Sequence, residues 1–345
     1  MIRVPVAVFG RTLYFSIDTG FTRSAVDGRY APLLGKAIST CTAEGPLGAM
    51  EGVPVYSAPE ISVGGRQLEL KTILATDLQM SRWVSGEPCD GVIGIDGLSN
   101  LVVSLNFSRK TIALQKSVPE NIDRDFIGVS LKNRDASFLL PIRVNGVGLT
   151  ELVIDTGDSS SISFDVADWN EIFVRPSMHQ STTTLAGIGE QVATSKIGVV
   201  PSISLQSLNY TNLHATFIRN PAESSHIGLG FFRRHDVIFD FPNRTLYLKP
   251  NQNFSVPDEE DMSGLHLLRH QGSTIVYSVD EGSPAFKQGI RSRDNIVSVN
   301  GQDSSNLTMD SIRRILRAGD GQQVALQVKR GTSVLGFRIA LKKAL

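Results

Sequence analysis

Residues 4–20 read VPVAVFGRTLYFSIDTG, and residues 140–157 read LPIRVNGVGLTELVIDTG. The two stretches align with one inserted residue, so that the Asp-Thr-Gly beginning at Asp18 falls on the Asp-Thr-Gly beginning at Asp155. A single Asp-Thr-Gly is a weak sign of a functional site, because aspartate and glycine are common turn residues. Two copies at the same place in a repeat are much harder to explain as turns. The sequence therefore predicts that Asp18 and Asp155 are equivalent members of one site.

The repeat continues beyond these stretches, over residues 4–114 and 140–248. Within it, segments 60–76 and 202–218 both alternate apolar and polar residues, the period of two that is typical of half-buried β-strands. Each copy also ends in a strand, a turn and a second strand, which is the pattern of a β-hairpin. These patterns predict two related lobes that are mainly β.

The chain after about residue 263 has a different pattern. Two strand-like segments, STIVYSV and NIVSVNG, flank the turn EGSPAFKQGI, and an amphipathic helix is predicted after Thr308, whose hydroxyl is suited to cap it. Segments 117–126 and 251–262 carry proline and charge, which is typical of linkers. We predict a first β lobe, a second β lobe and a small α+β domain, with the ranges 1–116, 127–250 and 263–345.

Composition excludes several classes of protein. Of the 345 residues, 41% are hydrophobic and 20% charged, which is enough apolar material for buried cores. Lysine plus arginine (34) balance aspartate plus glutamate (34), so no nucleic-acid partner is expected. No run of about 18 apolar residues predicts a membrane span, and the N-terminus lacks the apolar core of a signal peptide. The compartment stays open between the cytoplasm and, if an export signal has been removed, the bacterial periplasm.

Cysteine and histidine do not indicate a metal site. Cys41 and Cys89 are the only cysteines, and the sequence leaves open whether they form a disulfide or stay free. The six histidines show no metal-ligand spacing, and neither an HExxH nor a Gly-x-Ser-x-Gly motif occurs. No metal and no cofactor is therefore predicted.

The paired aspartates suit hydrolysis. Two carboxyl groups can supply both the base that activates water and the acid that protonates the departing group. When they lie a few ångströms apart they cannot both be ionised, and they share one proton. We therefore expect Asp18 and Asp155 to be catalytic and to act on peptides or proteins.

At these residues the chain resembles the aspartic peptidases, pepsin and the retropepsins, and most closely the bacterial retropepsin-like members. The resemblance covers about residues 1–250 and implies a pepsin-like unit of two pseudo-twofold-related lobes, with the attacking water held between the aspartates. It also implies that the hydroxyls of Thr19 and Thr156 reach the backbone of the opposite lobe. Gly20 and Gly157 would allow the chain to turn tightly under the carboxylates. The segments that end at Gly94 and Gly228 would pass beneath the two turns.

In the same family a β-hairpin called the flap closes over the substrate. The glycine-rich segments 42–52 and 183–191 occupy the corresponding places. Either or both are candidate flaps, and plain hairpin loops are the alternative. The candidate flap residues are Gly45, Gly48, Gly187 and Gly189.

Two positions depart from the family pattern. The residue after Asp-Thr-Gly is usually small or hydroxylated, but here it is Phe21 in one lobe and Asp158 in the other. A further carboxylate raises the proton affinity of the pair, unless it points to solvent. The Gly-Ile-Asp beginning at Gly94 also becomes Gly-Leu-Gly at Gly228. These departures leave the optimum pH open.

The tail resembles a bacterial PDZ domain, most specifically in residues 282–301, GSPAFKQGIRSRDNIVSVNG. In that family an extended peptide adds to a sheet edge, and backbone N–H groups of a loop hold its terminal carboxylate. A domain kept for packing or dimerisation is the alternative. The resemblance implies a peptide-binding site at Ser263, Gly264, Leu265, Leu267, Ile312 and Leu316.

Two functional hypotheses remain. The first is an endopeptidase whose PDZ domain recruits or positions a protein substrate, and the second is a catalytically silent peptide-binding adaptor on the peptidase fold. Asp-Thr-Gly intact in both lobes favours the enzyme. The tail either tethers substrate or packs against the lobes and regulates the cleft. Both lobes in one chain are compatible with a monomer, and the substrate and cleavage preference stay open.

Overall fold

The computed structural model describes residues 1–45, 47–144, 148–173, 180–186, 192–220 and 222–344. Within these ranges the strands form four sheets and the helices are short, which confirms the predicted mainly β fold. None of the helices in the described part of the chain has the length and apolar character needed to cross a membrane.

The first sheet belongs to the first half of the repeat. Its strands bury alternate residues, as in the first strand, where Val4, Val6 and Val8 point into the core. A helix, α1 (Gln79–Ser85), precedes the last strand, and 3-10 helices span Gly28–Leu33 and Ile95–Gly97. The strands are β1 (Ile2–Val8), β2 (Arg11–Ile17), β3 (Ala25–Asp27), β4 (Ser39–Gly45), β5 (Gly48–Ser57), β6 (Ser62–Val63), β7 (Arg66–Gln67), β8 (Thr72–Thr76) and β9 (Gly91–Ile93).

The second sheet contains strands from both halves of the repeat. Val102, in the strand Val102–Asn106, pairs antiparallel with Asp240, in the strand His235–Asp240, so the two predicted closing hairpins lie side by side. One hydrophobic core consequently runs through both lobes. In spatial order the strands are β11 (Thr111–Gln115), β10 (Val102–Asn106), β21 (His235–Asp240), β22 (Thr245–Pro250) and β12 (Ile127–Ser130).

The third sheet repeats the arrangement of the first. In both, the strand that leads to Asp-Thr-Gly pairs antiparallel with the strand before it and parallel with a later one. The helices α2 (Val166–Ile172) and α3 (Leu229–Phe232) flank it. The strands are β13 (Lys132–Arg134), β14 (Ser137–Val144), β15 (Gly148–Ile154), β16 (Ile162–Phe164), β17 (Gln180–Ala186), β18 (Val192–Leu205), β19 (Leu208–Phe217) and β20 (His226–Ile227).

The fourth sheet has its own core, separate from that of the lobes. The predicted cap of its longer helix is confirmed, because the Thr308 hydroxyl accepts the N–H of Ser311 at 3.1 Å. A 3-10 helix spans Ser304–Asn306. The elements are β23 (Leu265–His270), β24 (Ser273–Val279), α4 (Pro284–Lys287), β25 (Asn295–Val299), β26 (Gln302–Asp303), α5 (Met309–Leu316), β27 (Gln323–Arg330) and β28 (Ser333–Ala340).

Segment 251–262, predicted as a linker, is anchored to the second lobe on one side and to the C-terminal domain on the other. The buried carboxylate of Asp258 accepts bonds from the backbone N–H of His214 at 2.8 Å and from Arg234 Nη2 at 2.8 Å. The N–H of Met262 donates to Leu316 O in α5 at 3.0 Å. The tail is therefore joined to the second lobe by a packed segment and not by a loose one.

Both cysteines are free thiols. Cys41 is partly exposed and Cys89 is buried. The question of a disulfide that the sequence left open is answered in favour of two unpaired thiols.

Candidate active site

The two Asp-Thr-Gly turns begin where β2 and β15 end, inside the first and third sheets. The N–H of Asp18 donates to Ile93 O at 3.0 Å, and the N–H of Asp155 donates to Ile227 O at 3.0 Å. Each aspartate is thus fixed by the same bond to the parallel strand beside it. Equivalent sequences have produced equivalent backbones.

Gly94 and Gly228 follow these parallel strands and pass beneath the turns. A Cβ atom added at Gly94 would lie 2.6 Å from Phe21 O, and one at Gly228 would lie 2.5 Å from Ser160 O. Real Cβ atoms do not approach backbone oxygens this closely, so only glycine allows the segment to lie so near the turn.

The two threonines join the lobes by crossed hydrogen bonds. The Thr19 hydroxyl donates to Ile154 O at 2.8 Å and accepts the N–H of Thr156 at 3.1 Å. The Thr156 hydroxyl donates to Ile17 O at 2.9 Å and accepts the N–H of Thr19 at 3.1 Å. Both side chains are buried. Four hydrogen bonds therefore lock the two turns to each other.

The carboxyl groups of Asp18 and Asp155 face each other above this lock. In each, Oδ1 accepts the N–H groups two and three residues further along, at 3.1 and 3.0 Å in the first lobe and 2.7 and 3.0 Å in the second. A Cβ atom added at Gly20 would fall on the carboxyl group of Asp155, and one at Gly157 would fall on that of Asp18. Each glycine thus leaves the space that the opposite aspartate fills.

The proximity of the carboxyl groups changes their acidity. Burial raises the pKa of Asp18 well above its ordinary value, and the charge of Asp155 and a hydrogen bond to its side chain raise it further. Burial also raises the pKa of Asp155, but the charge of His226 opposes this shift. Two such groups retain one proton between them over a range of pH in which isolated aspartates would both be ionised. The pair therefore presents an acid and a base at one place.

Asp158, the further carboxylate directly after the second Asp-Thr-Gly, is held by hydroxyl groups. Its Oδ2 accepts from Ser160 Oγ at 2.7 Å and from Ser163 Oγ at 2.6 Å. Its charge still reaches the dyad, because it raises the pKa of Asp155. In the first lobe the same position is Phe21, which packs with apolar neighbours.

The other departure has a steric cause. In the first lobe Asp96 Oδ1 accepts the N–H of Ser24 at 2.8 Å and its hydroxyl at 2.6 Å. The equivalent residue of the second lobe is Gly230, where an added Cβ would lie 2.6 Å from Ser161 N. The second lobe has no room for that aspartate.

His226 is a functional candidate that sequence reasoning missed. Its Nδ1 lies 3.6 Å from Asp155 Oδ2, and its Nε2 lies 3.3 Å from Glu223 Oε2, with the imidazole almost fully buried. Burial lowers the pKa of His226, but the hydrogen bond to Glu223 and the charges of Asp155 and Asp158 outweigh it and bring the pKa to about 9. One sequence feature could have identified His226: a titratable residue stands at the position of β20 where the equivalent strand of the first lobe, β9, has Val92.

In the described residues, both candidate flaps contain antiparallel strands. β4 and β5 pair up to Gly45 and Gly48 near the tip, and β17 pairs with β18. Asn220, on the loop before β20, donates from Nδ2 to Gly45 O at 2.8 Å. The first hairpin is thereby tied to the second lobe. Gly187 and Gly189 lie outside the described residues.

The residues predicted for peptide binding in the tail are engaged within the domain. The N–H groups of Ser263 and Gly264 donate to Asp261 Oδ1 at 2.8 and 2.9 Å. Burial raises the pKa of Asp261, whereas these hydrogen bonds lower it. The apolar residues predicted beside the loop are buried in the core of the domain, and these are Leu265, Leu267, Ile312 and Leu316.

The helix α1 of the first lobe packs between the edge strand β23 and α5. The rings of Trp83 and His270 lie 4.4 Å apart, edge to face. Arg313 Nη2 donates to Val84 O at 2.5 Å and to Leu267 O at 3.3 Å. The first lobe therefore covers the place where the resemblance puts a bound peptide.

Within the described ranges, no group of three or more histidine, cysteine, aspartate or glutamate side chains is arranged to hold a metal ion.

Comparison with known proteins identifies the tail. The PDZ domain family model matches residues 275–330, so the C-terminal region contains a PDZ domain. Among solved structures, a retropepsin-like aspartic protease from Rickettsia conorii is 18% identical with a TM-score of 0.29, over 36% of this chain and 89% of that chain. A photosystem II D1 C-terminal processing protease is 21% identical with a TM-score of 0.23, over 24% of this chain and 23% of that chain. At such TM-scores neither neighbour assigns a function, which has to come from the residues of this chain.

Proposed function

We propose that the protein is an aspartic endopeptidase in which Asp18 and Asp155 hydrolyse peptide bonds. The observation that carries the proposal is the pair of facing carboxyl groups, each bound by its own turn and locked through Thr19 and Thr156. A turn motif without catalytic use would not need a glycine in each lobe that makes room for the opposite carboxyl group.

The chemistry follows from the shared proton. The ionised carboxylate accepts a proton from a water molecule as the water oxygen attacks the carbonyl carbon of the peptide bond. The protonated carboxyl group donates its proton to the carbonyl oxygen, which gives a neutral tetrahedral diol. Collapse of the diol returns one proton to the dyad and delivers another to the departing nitrogen, so the single shared proton is restored.

The proposal is tested by incubating the full chain with a peptide mixture at pH values from 3 to 8, with and without pepstatin. Cleavage inside the peptides that pepstatin abolishes is expected. Cleavage that persists both with pepstatin and in the Asp18→Asn and Asp155→Asn variants would place the chemistry elsewhere. Peptide binding without any cleavage at any pH would favour the second candidate, the silent adaptor.

We further propose that the PDZ domain acts on the same substrates by binding an extended peptide. The contact of α1 with β23 and α5 favours regulation of the cleft over a free tether, because a peptide at that edge has to displace α1. α1 is also tied to the first lobe, since Arg82 Nη1 donates to Asp27 Oδ2 at 2.5 Å and to Cys89 O at 3.1 Å. Movement of α1 would therefore displace the backbone at Cys89, two residues before β9 begins.

Two arginines on α5 separate the roles. Arg313→Ala removes the bond to Val84, whereas Arg314→Ala is a matched control, because Arg314 is exposed and, among the residues that the structure describes, its side chain pairs along its own helix with Asp310. If the PDZ domain regulates the cleft, Arg313→Ala changes the turnover of short peptides severalfold and Arg314→Ala does not. If the domain is a tether, both variants cleave short peptides at the wild-type rate, and only cleavage of a full-length protein substrate depends on the domain.

A further inference from the structure

His226, on β20, lies beside Asp155 of the dyad. β20 runs parallel to β15, and His226 pairs with Val153, one residue before the partner of Ile154. This register brings the imidazole to the carboxyl group that follows β15. In the first lobe the corresponding residue of β9 is Val92, paired with Ser16 one residue before Ile17, and its side chain carries no charge.

The imidazole lies between two carboxylates. Nδ1 is 3.6 Å from Asp155 Oδ2, and Nε2 is 3.3 Å from Glu223 Oε2. Only the protonated ring has an N–H on both nitrogens, so only the cation serves both partners. The side chains of His226 and Glu223 are 10% and 19% exposed, so water screens this arrangement poorly.

The charges that act most strongly on His226 favour the cation. The charged groups that act most strongly on His226 are Asp155 on the dyad turn, Asp158 on the same turn and Glu223 on the loop before β20. Each is a carboxylate. The resulting pKa of about 9 keeps His226 protonated throughout the acidic and neutral range.

A fixed cation beside one member of a shared-proton pair breaks the symmetry of the pair. The proton can reside on Asp18 with Asp155 ionised, or on Asp155 with Asp18 ionised. The cation stabilises only the first arrangement directly, because it contacts Asp155. We propose that His226 is a positioning residue that keeps Asp155 ionised as the base and leaves the shared proton on Asp18 as the acid.

This assignment rests on the proposed peptidase activity and deepens it. It names Asp155 as the group that takes the proton of water and Asp18 as the group that protonates the carbonyl oxygen. It also accounts for Glu223: its carboxylate accepts the second N–H of the imidazolium and keeps the ring turned toward Asp155.

The test compares pH profiles of kcat/KM for wild type, His226→Val, His226→Asn and Glu223→Gln. His226→Val introduces the residue of the first lobe, and His226→Asn keeps a hydrogen-bonding side chain without the charge. Without the cation a higher pH is needed to ionise the first carboxyl group, so the acidic limb should move up by about one pH unit in both variants. Glu223→Gln is the matched control: its amide oxygen can still accept the N–H of His226 Nε2 and keep the ring turned toward Asp155, whereas the lost carboxylate charge lowers the pKa of His226 without neutralising the ring in acid. Its acidic limb should stay in place while its alkaline limb changes.

The proposal is overturned if both His226 variants retain the wild-type acidic limb, or if Glu223→Gln shifts that limb as far as they do. The second result would indicate a general disturbance of the loop and not loss of a charge.

A second measurement does not depend on catalysis. Carbon NMR of labelled aspartate in the full chain should show Asp155 ionising at lower pH than Asp18 in wild type, and the gap should narrow in His226→Asn. If Asp18 ionises first in wild type, the assignment is wrong even if the protein is a peptidase. If no peptide is cleaved but Asp155 still ionises first, the proposed activity fails and the role of His226 in placing the proton stands.

Discussion

Two of the positions that differ between the lobes are Phe21 and Val92 around Asp18, and Asp158 and His226 around Asp155. The backbone bonds, the threonine lock and the facing glycines are nevertheless the same in both lobes. The skeleton has to be symmetric, because it brings two carboxyl groups close enough to share a proton. The charges around the two carboxyl groups need not be symmetric, since the single shared proton resides on one of them. Among the differences between the lobes, Asp158 and His226 are therefore the ones that act on the charge of the pair.

The largest effect that tests this comparison is loss of either carboxyl group. Asp18→Asn and Asp155→Asn should each reduce kcat/KM on the order of 10³-fold, because each removes one member of an acid and base pair. Circular dichroism should show both variants folded. Asp165→Asn, at the cap of α2, is the control and should be active, because asparagine caps a helix as well as aspartate does. Activity near wild type in either dyad variant would show that the two halves are not used together.

The second effect concerns the space that each lobe provides for the other. Gly20→Ala places a methyl group on Asp155, and Gly157→Ala places one on Asp18, so both should reduce kcat about 10²-fold by displacing a carboxyl group. Gly336→Ala on β28 is the control, because an added Cβ there meets nothing within 4 Å. A large loss in one lobe only would mean that the skeleton is less symmetric than its hydrogen bonds indicate.

The third effect is on stability. Thr19→Val and Thr156→Val keep the shape of the side chain but leave a buried carbonyl and a buried N–H without a partner. Each should lower the free energy of unfolding by about 2 kcal/mol, measured by urea denaturation. The serine variants keep the hydroxyl and should lose less than half as much. Unequal losses for the two valine variants would contradict the equivalence of the crossed bonds.

The smallest effect concerns the tie between the lobes at the first flap. Asn220→Ala removes the bond to Gly45 and should raise KM severalfold with little change in kcat, because a hydrogen bond contributes about 1 kcal/mol to holding the hairpin down. Asn209→Ala, at an exposed position of β19 with ordinary extended backbone, provides a control and should leave KM unchanged. An unaltered KM in Asn220→Ala would mean that this hairpin does not contact substrate.

The sequence predicted those features that depend on local pattern or on repetition. Alternating apolar residues predicted the strands, Thr308 predicted a helix cap, and the repeated Asp-Thr-Gly predicted that Asp18 and Asp155 lie together. The contact of His226 with Asp155 was not predicted, because it depends on the register of two strands far apart in the chain. The anchoring of segment 251–262 was not predicted for a related reason: proline and charge are typical of linkers, and the partners of Asp258 come together only in the folded second lobe.

The pairing of β10 with β21 has a consequence for biosynthesis. A ribosome completes β10 long before it reaches β21, and until then one edge of β10 carries unpaired backbone N–H and C=O groups. Such an edge invites pairing with another nascent chain, so partly synthesised copies are the form of this protein most exposed to aggregation. Chains truncated between β12 and β21 should accordingly collect in the insoluble fraction on expression, whereas chains that extend past β22 should remain in solution.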